Sequence, residues 1–146
     1  MPIISFSVFK DKILDGSKTQ TIRKERKYPV KIGNTLYLWW KSRTPQREKL
    51  FETTCNSTFK IKLYVDNTNI DVARLFKNGD IIGFPYDDLV IFARRDGFYT
   101  PEEMRLWFLK TYGPINGDVF DVIRWNNPVL RNNPVEEQEK KDNASV

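Results

Sequence analysis

The stretch KTQTIRK, residues 18–24, follows a glycine turn in DKILDGS and places Lys18 and Thr21 close together ahead of several cations. A lysine at the start of a strand is ordinarily a solvated cation. In a cleft, the charges of Arg23, Lys24, Arg26 and Lys27 would lower its pKa from the reference near ~10.4, because protonation beside other cations is disfavoured. A neutral lysine can serve as a general base, and a lysine–hydroxyl pair activates a nucleophile without histidine. Lys18 and Thr21 cannot converge in one straight strand, where their side chains point to opposite faces. They can meet only if Lys18 belongs to the turn that Gly16 permits.

The chain of 146 residues contains no histidine and one cysteine, Cys55. Ser-His-Asp and Cys-His catalysis are therefore excluded, as are ordinary zinc sites. No cofactor or metal is expected. Acid–base chemistry falls to Lys, Asp, Glu, Tyr or an activated hydroxyl. A single cysteine cannot form an internal disulfide. No apolar run approaches the roughly 20 residues needed to span a bilayer. The N-terminus, MPIISFSVFKDK, lacks the basic opening of a signal peptide. The expectation is a cytoplasmic protein with no membrane partner.

Charge is unevenly spread. Residues 1–60 carry 13 Lys/Arg against 5 Asp/Glu, and residues 61–146 carry 11 against 14, within an overall +5. The basic half suits a polyanion, although an ordinary solvated surface has the same composition. In TLYLWWKSR, residues 35–43, the alternation puts Leu36, Leu38 and Trp40 on one face and Tyr37, Trp39, Lys41 and Arg43 on the other. Aromatics and cations on one face can stack on bases and pair with phosphates. Arg47 and Lys49 extend the basic surface. The commoner fate of a tryptophan such as Trp39 is packing under a helix.

The elements that must position these groups follow from periodicity. Strands are predicted over 3–9, 18–24, 35–43, 58–65, 118–125 and within NIDVARLF. RTPQREKLFE reads as a polar loop. A short helix in FKDKILDGS ends at Gly16, and YDDLVIFARR (86–95) is helical with Leu89, Phe92 and Ala93 on one face. The clearest helix is 101–112. Thr100 is its N-cap, Pro101 its first residue, and Glu103 completes a capping box. Its stripe of Met104, Trp107, Phe108 and Tyr112 reads as core packing. Strand 118–125 is apolar on both faces and should be well buried. Many short strands with two or three helices predict an α+β domain with a curled sheet or small barrel over residues 1–130. The polar tail, 131–146, lacks periodicity and is expected to be disordered.

DGSKTQTIRK followed by PVKIGNTLYLWWKSRT resembles the ASCH domain, a relative of the RNA-binding PUA domain. KIGN before a strand, the cysteine in EKLFETTC, ARRDGFYTPEEMRLWF and the closing FDVIRW extend the likeness over about residues 3–126. The chain is most similar to small archaeal-type members. The resemblance implies a PUA-like small barrel of about five to six mixed strands, flanked by two to three helices, with a cleft between them. It implies an intracellular role tied to RNA or modified nucleosides; the residues read as the nucleic-acid contacts, from the basic half and the aromatic strand face, are Arg23, Lys24, Arg26, Trp39, Lys41, Arg43 and Arg47. Some members are amidohydrolases that deacetylate N4-acetylcytidine with a Lys, a Thr and a Glu, and others are reported as ribonucleases. The matching residues are Lys18 and Thr21, with Asp96 in ARRDGF where the family has a Glu one methylene longer. Asp-Gly is equally a common turn. In the hydrolytic reading, Lys18 takes the proton of Thr21, Thr21 attacks the amide carbonyl, Asp96 orients Lys18 or shuttles a proton, and Arg23 stabilises an oxyanion or holds a phosphate. A protein-interaction module is the third alternative.

Overall fold

The structure is a computed structural model describing residues 2–126. The expected tail, 131–146, lies outside the described residues. Among these residues the fold is α+β, with three helices against a mixed seven-stranded sheet. The order is β1 (Ile3–Phe6), α1 (Lys10–Asp15), β2 (Gln20–Lys24), β3 (Thr35–Trp40), β4 (Glu48–Val65), β5 (Ile70–Leu75), β6 (Ile81–Gly83), α2 (Tyr86–Arg95), α3 (Pro101–Tyr112) and β7 (Ile115–Trp125).

The 18-residue β4 organises the sheet. Its first part pairs with β3, while its second part pairs with β5 and with β7. The predicted loop RTPQREKLFE is therefore half strand, beginning at Glu48. Its outward Lys and Glu side chains hid the pairing. A bulge opposite Leu38/Trp39 further breaks the alternation there. The path β1-β3-β4-β7-β2 begins and ends on strands that do not pair with each other, so the sheet is not closed. Arg23 spans that gap, its Nη2 donating to the Ser5 carbonyl at 2.7 Å.

β7 divides the core because successive side chains point to opposite faces. Phe120 and Val122 join a cluster with Ile61, Leu63, Phe92, Met104 and Phe108 beneath α2 and α3. Ile123 and Trp125 join Ile4, Phe6, Leu36 and Leu38 inside the curl, closed by Ile13 of α1. Both long helices begin and end where predicted. Thr100 Oγ1 accepts the Glu103 N–H at 3.1 Å. The return bond from Glu103 reaches the N–H of Tyr99, one residue before the cap. None of the described helices is long and apolar enough to cross a membrane.

Candidate functional site: a lysine-lined cavity beside a basic groove

The turn after α1 decides where Lys18 goes. Gly16 ends the helix with φ +89°, a conformation costly for other residues. Asp15 Oδ1 accepts the Ser17 N–H at 2.8 Å, and the Lys18 N–H returns to the Lys12 carbonyl at 3.0 Å. Lys18 thus precedes β2 and drops inward, meeting the condition set for convergence with Thr21.

Only 3% of Lys18 is exposed. Its Nζ donates to the carbonyls of Gln20 (2.7 Å) and Asp96 (2.6 Å), and lies 3.6 Å from Asp96 Oδ2. Asp96 caps the C-terminus of α2, where the helix dipole favours a cation. The rings of Phe6 and Phe9 lie 5.5 and 5.6 Å from the ammonium. Burial pulls Lys18 down to about 8, opposed chiefly by Asp96 and assisted by Arg23. Burial pushes the Asp96 carboxyl up, against the pull of Lys18. Gln20, fully buried, donates from Nε2 to the Phe92 carbonyl at 3.3 Å and towards Asp96 Oδ1 at 3.4 Å.

Thr21 is buried, and its Oγ1 accepts a hydrogen bond from Arg23 Nε at 2.9 Å. Burial also lowers the Arg23 pKa, though a guanidinium remains charged at neutral pH. Lys18, Thr21, Arg23 and Asp96 all line one cavity of about 230 Å³, walled by aromatic side chains including Phe9, Trp107 and Tyr112. No hydrogen bond joins Lys18 to Thr21: the ammonium is satisfied by carbonyls and the hydroxyl by Arg23. The cavity therefore offers two cationic donors, Lys18 and Arg23, one carboxylate, Asp96, and the hydroxyls of Thr21, Ser5, Ser7, Thr111 and Tyr112.

A wider groove of about 780 Å³ adjoins the cavity and shares Ser5, Phe6, Ser7 and Arg23 with it. Arg26, Lys41 and Arg43 supply the remaining cations of its lining. Lys41 and Arg43 arrive there by a turn, because β3 stops at Trp40. Lys41 takes φ +44°, its N–H donates to the Phe6 carbonyl at 2.8 Å, and its carbonyl accepts from Thr44. This corrects the expectation of one strand face running from Tyr37 through Arg43. A non-glycine residue in the left-handed region is strained by about 1–3 kcal/mol.

Among the other sequence candidates, Trp39 is half-buried on β3, paired with Ser5, and does not line the groove. Lys24 lies over the Tyr112 ring at 5.1 Å, and Arg47 is exposed beyond the groove lining. Sequence reasoning missed Gln20, Phe9 and the aromatic wall. Trp107, Phe108 and Tyr112 do pack as expected, but their stripe also faces the cavity. Among the described residues, no cluster of three or more His, Cys, Asp or Glu could hold a metal ion.

Phe9 is held by a close approach. Its backbone has φ +66°, and its ring covers Gly97, where an added Cβ would lie 2.9 Å from Phe9 Cδ2. Gly97 itself has φ +107°. Gly97→Ala is expected to cost roughly 1–3 kcal/mol through backbone strain. It should also displace Phe9 from the cavity wall. Urea unfolding with tryptophan fluorescence checks this, and a variant as stable as the parent would show that the contact is not needed.

No protein-family model, no curated protein and no solved structure matches the chain.

Proposed function

We propose that the chain is an ASCH-type, PUA-like domain that binds RNA or a nucleoside, with phosphates in the groove and a base in the cavity. The observation that carries this reading is that the two spaces adjoin and share Arg23. A groove with four cations adjoins an aromatic-walled cavity that also carries polar groups. Cations pair with phosphates and aromatic faces stack on bases. The curled path β1-β3-β4-β7-β2 is read as a small barrel left open on the ligand side. The test is binding of a fluorescein-labelled single-stranded RNA, followed by anisotropy. The double variant Arg26→Ala/Arg43→Ala should bind at least about tenfold more weakly, since each phosphate contact is charge-assisted. Unchanged affinity would remove the groove from the reading.

A second reading, amide hydrolysis on N4-acetylcytidine-like nucleosides, is favoured by the buried Lys18 beside Thr21 and Asp96. Neutral Lys18 takes the Thr21 proton as Oγ1 adds to the acetyl carbonyl, and Arg23 shifts its hydrogen bond to the oxyanion. Collapse breaks the C–N bond, Lys18 returns the proton to the departing amine, and water then cleaves the acyl-threonine with Lys18 again as base. Because the neutral amine is the active form, the rate should rise about tenfold per pH unit and level off above about 8. Mass spectrometry of cytidine released across pH 6–10 measures this. A rate that is flat with pH, or turnover persisting in Lys18→Ala, would eliminate lysine as the base.

A further inference from the structure

A second cavity, of about 250 Å³, lies between α2 and the sheet and shares no lining residue with the cavity and groove described above. Arg74 of β5, Arg95 at the end of α2 and Arg124 of β7 converge on it. Arg74 and Arg124 place their guanidinium carbons 4.6 and 4.9 Å from the centre of the Phe59 ring. Among the described residues, none of the three forms a salt bridge. Burial lowers Arg124 to about 10, and the neighbouring charges of Arg95 and Arg74 act in the same direction.

Arg124 is also fixed in place. Its Nε donates to Gln20 Oε1 at 2.9 Å, and Gln20 is itself buried and anchored to the Phe92 carbonyl. The Nη groups have no hydrogen-bond partner among the described residues. Three guanidinium groups gathered at one place repel one another, and an anion seated among them relieves that repulsion through charge-assisted hydrogen bonds. Asp88 also lines the cavity, leaving a net charge of two positive units there. That matches a phosphate monoester, which carries about −1.5 to −2 at pH 7, better than the single charge of a diester. Phe59 and Ile91 add an apolar wall for the group that bears the phosphate.

The geometry points to a second ligand site, in which Arg74, Arg95 and Arg124 around Phe59 bind the terminal phosphate of a nucleotide. The phosphate could belong to a free mononucleotide or to the end of an RNA chain. Calorimetric titrations of the full chain separate these sources. The probes are cytidine 5′-monophosphate, cytidine, and a uridine hexanucleotide with either a 5′-phosphate or a 5′-hydroxyl. Arg74→Gln and Arg95→Gln alter exposed side chains and leave the Gln20 anchor intact. Each is expected to weaken the phosphorylated probe at least tenfold. Mononucleotide binding that Arg74→Gln and Arg95→Gln weaken identifies a free nucleotide. Preference confined to the phosphorylated hexanucleotide identifies an RNA end. Absence of any preference for the phosphorylated probes, or binding indifferent to Arg74→Gln and Arg95→Gln, would overturn the site. RNA binding that is lost in the groove variant concerns the proposed function alone.

Discussion

Lys18→Met is expected to lower the unfolding free energy by about 3–5 kcal/mol, the usual cost of removing one partner from a buried ion pair. The side chains of Lys18 and Asp96 are only 4% and 9% exposed. Methionine fills the space of the lysine stem but leaves the Asp96 carboxylate with Gln20 as its side-chain donor and only Arg23 as a neighbouring cation, and strands two carbonyls that had accepted from Nζ. The pH dependence separates this cause from a packing fault. Burial already raises Asp96 above its ordinary value, and without Lys18 it rises further. Between the unfolded value, 3.8, and the raised folded value, the native state binds more protons than the unfolded state. Stability contributed by this group therefore increases as pH falls through that window. The deficit of Lys18→Met should be smaller at pH 5 than at pH 7, and Lys18→Met/Asp96→Asn should regain part of it. Urea unfolding at both pH values measures this. An equal deficit at pH 5 and 7, with no rescue, would mean that the pair does not hold the charge described.

Arg23→Ala is expected to weaken RNA or nucleoside binding by roughly 10–100-fold, corresponding to about 1.5–3 kcal/mol for a charge-assisted hydrogen bond. Arg23 is shared by the cavity and the groove, orients the Thr21 hydroxyl, and joins β2 to β1 through the Ser5 carbonyl. Its guanidinium also lies over the Phe6 ring at 4.9 Å. Because β1 and β2 share no strand ladder, the same substitution should speed amide exchange in β1. Arg23→Lys keeps the charge but not the fork, so it should recover little of the exchange protection. Affinity and exchange rates both equal to the parent's would show that Arg23 bridges nothing of consequence.

The sequence made α3 legible because its signals are local: Thr100, Pro101 and Glu103 act within one turn of the helix, and α2 was legible from the shared face of Leu89, Phe92 and Ala93. The strand over 58–65 was legible by strict alternation. The first half of β4 was not, because Lys49 and Glu52 point outward, and only pairing with β3 marks it as strand. Nor could the sequence foresee that Lys41 leaves β3 in a left-handed conformation, which is what turns Lys41 and Arg43 towards the groove. At the site, Lys18 and Thr21 stood out as neighbours in the chain. Their meeting with Asp96, 78 positions from Lys18, depends on the α2 C-terminus docking against the turn before β2. The three arginines of the second cavity come from β5, α2 and β7 and carry no common motif.

The most direct measurement is the salt dependence of single-stranded RNA affinity, for the parent and for Lys41→Ala/Arg43→Ala. If the groove engages about four phosphates, the logarithmic slope is roughly −2.8, and affinity falls about 50-fold between about 50 and 200 mM salt. The variant should bind more weakly and show a slope nearer about −1.4, two phosphate contacts having been lost. Binding that ignores salt, or a variant with the parent's affinity and slope, would contradict the assignment of this groove to RNA.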